Sequence, residues 1–569
     1  MTLFLKMCER LSQNIIPTHY DLFLHIIKNQ YPVDAKVTIE FKKNQDDDYV
    51  YLHTSPNITI NKITQNNITL EYTIDYPKLI ISRPKDSNQD FDSYPITIDY
   101  SLTPIFQSEY QKKPHGFFVY QDSYLTKFEL SYARQLLPCF DDPNIRSSYT
   151  VKIRIPSDLT GISNMPIQSS TLADNEKEIT FLPTPAMCSY LLCICVGNFA
   201  FIEDKTKFGT PVKFYAAKGK EESLRGYLRV AVFSLEWLEE KLGVKYELPH
   251  LQLISYEGIK IGMENYGLIT LCDYTAGTEF FRHSKVVMHE IAHQWFGDLV
   301  SIKWWDSVWL NEGFAQFFQF LILNDCDPEY NGKGIAHFIE RDGFRCLRFF
   351  DKDKVVPYPE EIDFTQRVLK SAIYIKGGFI LKMFLDIVGE ENFYKVCSKW
   401  CDTYKNKSAE AFDFVNLANS TLNNDYTEFF KVWLRSIGYP ALLVNLIYDN
   451  DDKSKMIGIT VTQTSFENSI FQFKLPIIYE KDGNVQKKEV FVQDKETRID
   501  VEFDWIIVND ELSSLCVVIY TKELLERLLI AKNENKLSEL NCLLISQSTQ
   551  TVSENLDIDP DVLRMSQQF

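Results

Sequence analysis

The segment His289-Glu290-Ile291-Ala292-His293 sets two imidazoles four positions apart with a carboxylate directly after the first. On a helix, positions i and i+4 share a face, so both rings can reach one ion. Glu290, displaced around the helix, can then face a water on that ion. Histidine is scarce here, 9 in 569 residues, so chance seldom supplies this spacing. Val286, Val287, Ile291, Ala292, Trp295 and Phe296 predict a buried helix around the pair. The plain alternative is two hydrogen-bonded histidines on a core helix. A hydrolytic zinc site takes a third protein ligand and keeps its fourth position for water. Glu312, 19 positions after His293 in Trp309-Leu310-Asn311-Glu312-Gly313-Phe314, opens a helix-like segment, 314–323. A helix–loop–helix return can bring it back to the ion. Taken alone, a glutamate at such a place is a solvated first-turn residue.

The elements that must position these residues are legible as changes of period. From about Pro17 to Ala200 the apolar period is two, as in Val37, Ile39, Phe41, in Ile96-Thr97-Ile98-Asp99-Tyr100 and in Val151-Lys152-Ile153-Arg154-Ile155, with Asn- and Asp-rich turns between. This predicts a mostly antiparallel β domain. Near residue 220 the period becomes helical, with Leu224, Leu228, Val232, Leu235 and Leu238, and stays so to about Ser436. Gly438-Tyr439-Pro440 stops it. Short strands follow, 457–461, 471–479 and 489–492, with Lys481-Asp482-Gly483-Asn484 as a hairpin turn. A tail from about Lys522 begins as a helix and trails into polar residues. No internal repeat or low-complexity linker interrupts this order.

Length and composition bound the reading. A chain of 569 residues exceeds one hydrophobic core, and 45% hydrophobic with 24% charged residues is globular composition. The net charge of −18 repels phosphate backbones and argues against nucleic acid as a partner. The 12 cysteines are scattered: Cys193 and Cys195 lie in a strand-like run, and Cys397 and Cys401 at helical spacing without a nearby histidine, which predicts buried free thiols. Met1–Met7 is too short and poorly flanked for a signal peptide, and no apolar run reaches membrane-spanning length. The expectation is a cytoplasmic protein, against which the Asn57-Ile58-Thr59 and Asn67-Ile68-Thr69 sequons weigh little.

The double motif, His-Glu-x-x-His and then Glu after eighteen residues, within 287–300 and Trp309-Leu310-Asn311-Glu312-Gly313, closely resembles the gluzincin aminopeptidases of the M1 family, and most of all their puromycin-sensitive branch. The resemblance runs over roughly Leu11 to Tyr520. It implies an α+β multidomain fold: a β-saddle at 1–210, a thermolysin-like, mostly helical zinc catalytic domain at 211–437, a small β-sandwich at 438–525, and a remnant of a C-terminal helical domain at 526–569. It implies one Zn²⁺ on His289, His293 and Glu312, with Glu290 as general base. Ile261-Gly262-Met263-Glu264-Asn265 resembles the family's Gly-x-Met-Glu-Asn loop, which makes Glu264 the main anchor for a substrate α-ammonium group. Thr126-Lys127-Phe128-Glu129 makes Glu129 the second anchor, and Tyr374-Ile375-Lys376-Gly377 makes Tyr374 the donor to the oxyanion.

Three departures stand out. Ile261 replaces the first glycine of the substrate loop, and Lys127 replaces a glutamine that the family places near the first specificity pocket. The large helical C-terminal domain of many members is mostly absent from this sequence, so the expected site is wider, or is covered by a partner chain or a second copy. The expected substrates are peptides with a free N-terminus. The rivals are a zinc endopeptidase, which needs no α-amine anchors, and a non-catalytic scaffold. The Trp295-Phe296-Gly297 and Trp304-Trp305 context sets aside the branch with epoxide-hydrolase activity.

Overall fold

The computed structural model describes residues 9–83, 95–106, 115–275, 280–326, 334–349, 353–358, 371–451, 455–552 and 558–569; the expectation for Met1–Met7 lies outside them. The described residues up to Ser307, together with Cys401–Glu410, form one compact unit. Those from Val308 onward, without Cys401–Glu410, form another.

In the first unit the two-residue period becomes strand. Ile15–His25 buries Tyr20, Leu22 and Leu24 and runs antiparallel to Val33–Lys43 and parallel to Arg146–Pro156, inside a nine-stranded sheet. Alternation turns every second side chain inward, so Val151, Ile153, Ile155 and Ile96, Ile98, Tyr100 join the same core. A five-stranded sheet containing Ser123–Lys127 and a four-stranded sheet containing Leu251–Ser255 and Leu268–Leu271 share a second core of Phe118, Leu125, Cys193, Cys195, Tyr256 and Leu268. Each such apolar side chain contributes about 1.5–3 kcal/mol by leaving water. Both strands that lead toward the site are held by this core: Glu129 follows one, and Glu264 precedes the other.

Two helices complete this unit's part of the site. Helix α1 (Arg225–Leu242) buries Leu228, Ala231, Leu235 and Leu238. Helix α2 (Phe280–Ala292) buries Val287, Met288 and Ile291.

A buried polar cluster ties the segment after Glu129 to the strand Tyr49–His53 and to Ser189. Arg134 Nε donates to Asp141 Oδ2 at 2.8 Å, and Ser189 Oγ donates to Asp141 Oδ1 at 3.0 Å. The Asp141 N–H donates to His53 Nδ1 at 3.1 Å, so the His53 proton sits on Nε2 and meets the Glu9 carbonyl at 2.9 Å. Burial, then the Arg134 charge, holds His53 well below the usual imidazole range and keeps it neutral.

The second unit opens with helix α3 (Trp309–Cys326), and helix α4 (Ser371–Val388) packs on it. The two touch at backbone: a Cβ on Gly313 would stand 3.2 Å from the Gly377 carbonyl carbon, and one on Gly377 would stand 3.3 Å from Gly313 Cα. Helices Ala411–Leu422 and Thr427–Arg435 bring Phe414 and Phe430 against Trp309. After Pro440 come a four-stranded and a three-stranded sheet. The expected hairpin is present, with Lys481 paired to Asn484 across a two-residue turn.

The tail is helical beyond the point where its pattern turns polar. Helix Lys522–Asn533 is followed by two more, Glu539–Val552 and Pro560–Ser566. The first of these turns polar residues inward, where Asn541 accepts from the Glu511 N–H at 3.0 Å and donates to Asp510 Oδ1 at 2.9 Å. No described helix is long and apolar enough to cross a membrane. All eleven described cysteines are free thiols, including Cys193 and Cys195 with Sγ atoms 3.9 Å apart.

Removing Arg134 leaves the Asp141 charge buried without its partner. Arg134→Met is expected to lower stability by about 3–5 kcal/mol in urea denaturation, and adding Asp141→Leu is expected to recover part of that loss.

Candidate active site

His289 and Glu290 lie on the last turn of α2, which closes at Ala292, one residue before His293. The His293 N–H still reaches the His289 carbonyl at 3.3 Å, so the i, i+4 relation survives in the turn that continues the helix. The two Nε2 atoms stand 3.1 Å apart with the rings edge to face. His293 Nδ1 lies 3.0 Å from the Phe296 carbonyl oxygen. A carbonyl only accepts, so Nδ1 carries the proton and Nε2 presents a lone pair. Such a lone pair beside a second imidazole nitrogen could hold a shared cation, and a bond from the other ring nitrogen to a carbonyl is the usual way a ligand histidine is oriented.

The chain after His293 reverses tightly. The N–H groups of Asp298, Leu299 and Val300 return to the carbonyls of His293, Gln294 and Trp295 at 3.1, 3.3 and 3.3 Å. Asp298 is fully buried; burial, then the Glu264 charge, pushes its carboxyl well above the usual range. Arg146 donates to the Asp298 carbonyl at 2.9 Å and to Ser301 Oγ, pinning the reversal to the first sheet.

Beside the histidines, Glu264, Glu290 and His293 offer ligand atoms within 4.8 Å of one another, all three side chains buried. The Glu264 loop is clamped at one end by Met263 and Thr270, which exchange both backbone hydrogen bonds at 2.9 and 3.0 Å. Asn265 is buried and its carbonyl accepts from the Leu268 N–H at 2.9 Å, closing the turn. At the other end Gly262 passes so close to Glu290 that a Cβ there would overlap Oε1. Ile261, the departure from the family loop, is exposed. The glycine that the close approach requires is therefore Gly262, at the variable position of that motif. Lys127, nearly buried, donates from Nζ to the Gly262 carbonyl at 3.0 Å.

Glu129 is half-buried two residues beyond its strand. Its charge and that of Glu264 both bear on the buried Tyr190 hydroxyl, whose pKa burial raises first and these carboxylates raise further. The first unit thus brings together His289, Glu290, His293 and Glu264, with Lys127 hydrogen-bonded to the Glu264 loop and Glu129 near the same tyrosine.

In the second unit, Glu312 is buried in the first turn of α3, its N–H on the Val308 carbonyl at 3.0 Å. The helix begins at Trp309, five residues before the expected start, so Glu312 lies within it. Tyr374 is half-buried in the first turn of α4. Lys376, two residues on, is fully buried and donates to the Ser436 carbonyl at 2.8 Å; burial lowers its pKa to about 8. The Gly313·Gly377 crossing sits one residue after Glu312 and three after Tyr374. Three residues that shape the site went unread in the sequence: Gln294, Asp298 and Arg146. Gln294 and Asp298 lie within the motif segment 287–300, but nothing in the sequence assigned either a role.

The model of the Peptidase M1 N-terminal domain matches residues 16–191, and that of the Peptidase family M1 domain matches residues 227–433. The chain belongs to the M1 peptidase family. It is 27% identical over 562 residues to the puromycin-sensitive aminopeptidase of Caenorhabditis elegans, covering 92% of this chain and 58% of that protein. It is 26% identical over 511 residues to glutamyl aminopeptidase of Rattus norvegicus (84% and 53%), and 28% identical over 516 residues to probable aminopeptidase 1 of Saccharolobus solfataricus (88% and 63%). The chain spans roughly half to three-fifths of the length of these relatives.

Gly262→Ala forces Glu290 or the loop to move. The expected result is an unchanged melting temperature with peptide hydrolysis lowered about 100-fold, measured on a leucyl peptide.

Proposed function

We propose that this chain is a zinc metallo-aminopeptidase that hydrolyses the N-terminal peptide bond of peptides. The observation that carries the reading is the pair of imidazole nitrogens 3.1 Å apart with Glu290 and the Glu264 loop beside them. His289, His293 and Glu312 would hold the metal. Glu312 is assigned as the third ligand by its place 19 positions after His293 and by its buried carboxylate. When bound, zinc supplies Lewis-acid chemistry, polarising the scissile carbonyl and acidifying water.

The chain's own residues do the rest. Glu264 and Glu129 accept charge-assisted hydrogen bonds from the substrate α-ammonium group, which sets cleavage one residue from the end. Glu290 takes a proton from the attacking water and delivers it to the leaving amine. Tyr374 donates its hydroxyl to the oxyanion. The same proposal reads 1–210 as a β-saddle, 211–437 as the catalytic domain, 438–525 as a β-sandwich and 526–569 as a helical remnant. It also places the protein in the cytoplasm, where its scattered, mostly buried cysteines would stay reduced.

The test is hydrolysis of one leucyl peptide, free and N-acetylated, with and without a chelator. Cleavage of the free form only, abolished by chelator and restored by zinc, is expected. Equal cleavage of both forms would favour the endopeptidase, and no cleavage with zinc bound would favour the scaffold. Glu290→Ala is expected to lower turnover by roughly 10²–10⁴-fold with zinc near one per chain, by atomic absorption. Loss of zinc in that variant would make Glu290 structural.

The relatives' names point both ways on specificity, since they include glutamyl aminopeptidase and an alanine/arginine aminopeptidase from Saccharomyces cerevisiae. The Lys127 ammonium, held on the Gly262 carbonyl, is proposed to disfavour N-terminal Lys and Arg and to favour Asp or Glu. Lys127→Gln should raise the ratio of basic to acidic substrate turnover; an unchanged ratio would remove Lys127 from the pocket.

A further inference from the structure

Gln294 uses every strong hydrogen-bonding position of its amide. Nε2 donates to the Glu264 carbonyl at 2.9 Å and to Asp298 Oδ2 at 2.9 Å. Oε1 accepts from the Gly267 N–H at 3.0 Å and lies 3.2 Å from the Tyr246 hydroxyl. The orientation is unambiguous: a backbone N–H can only donate and a backbone carbonyl can only accept, so oxygen must face Gly267 and nitrogen must face Glu264. The side chain is buried, with 1% of its surface exposed, so none of these bonds is exchanged with water.

Its place in the chain gives this its meaning. Gln294 is the residue after His293, and its backbone carbonyl closes the reversal through the Leu299 N–H. At its other end it holds both sides of the Glu264 turn, the carbonyl of Glu264 and the N–H of Gly267. One rigid amide therefore spans from the histidine-bearing turn to the loop that carries Glu264. Other bonds on that loop, the Met263·Thr270 pair, Lys127 on the Gly262 carbonyl and Asn164 Nδ2 on the Tyr266 carbonyl at 2.9 Å, tie it to the strands of this unit.

We infer that Gln294 is a positioning residue that fixes Glu264 relative to the two histidines, and so sets the distance between the α-ammonium site and the reacting carbonyl. This rests on the function proposed above. Glutamate would put an oxygen against the Glu264 carbonyl and Asp298, and methionine fills the space with neither donor nor acceptor.

The experiment compares two probes on the zinc-loaded protein by titration calorimetry: leucine hydroxamate, and the same compound N-acetylated. The probes differ only in the free amine, and their ratio of dissociation constants within one variant is independent of the fraction folded. The wild type is expected to prefer the free amine by about 100-fold. In Gln294→Met and Gln294→Glu that preference falls at least tenfold, while the acetylated probe binds within threefold of wild type and zinc stays near one per chain. A preference retained in both variants overturns the inference. So does an equal weakening of both probes with loss of zinc, which would mean that Gln294 only supports the helix end. A wild-type ratio of one overturns the α-amine reading itself, leaving Gln294 no anchor to position.

Discussion

The His289 and His293 Nε2 atoms stand 3.1 Å apart, with the His293 lone pair aimed at its neighbour. Neutral rings in that pose repel unless a cation or a shared proton lies between them, and much of the first unit serves to hold them there. The Phe296 carbonyl takes the outer proton of His293, the reversal through Asp298 and Val300 brings that carbonyl round, and Arg146 fastens the reversal to the sheet. These bonds orient the ring while leaving its Nε2 edge to the proposed site. The same economy appears on the loop side, where Met263, Lys127 and Gln294 hold backbone and leave the Glu264 carboxylate to the site.

How far the sequence revealed this depended on whether a signal was local. The His289–His293 spacing, the alternation of Val151, Ile153 and Ile155, and the Asp482-Gly483 turn are short-range patterns, and each appears where it was read. Helix 539–552 was missed because its inward face is partly polar: Asn541, Ser548 and Thr549 are buried there, which erases the apolar period. The start of α3 was read too late because Trp309 and Leu310 belong to the buried face while Asn311 and Glu312 look like a loop. Gln294 resisted for another reason. An isolated glutamine has no pattern, and its four partners are spread from Tyr246 to Asp298.

The departure at Ile261 illustrates how a motif can be read one residue out of place. A glycine that resemblance assigns to the loop is replaced, yet the side chain that replaces it faces outward, and steric demand falls on the next position. Close approach to Glu290, not membership of a pattern, decides which glycine is indispensable.

The crossing of α3 and α4 at Gly313 and Gly377 has a different kind of consequence. Where helices meet through side chains, their spacing drifts as rotamers exchange and as substitutions alter volume. Where they meet as bare backbone, there is nothing left to compress or repack. The crossing is then expected to act as a fixed gauge block: changes in the surrounding Phe414 and Phe430 packing should alter the separation of the two polypeptide axes beside Glu312 and Tyr374 less than they would a side-chain contact. Sequence drift in this core is thereby partly decoupled from the geometry of the groups that would meet the substrate.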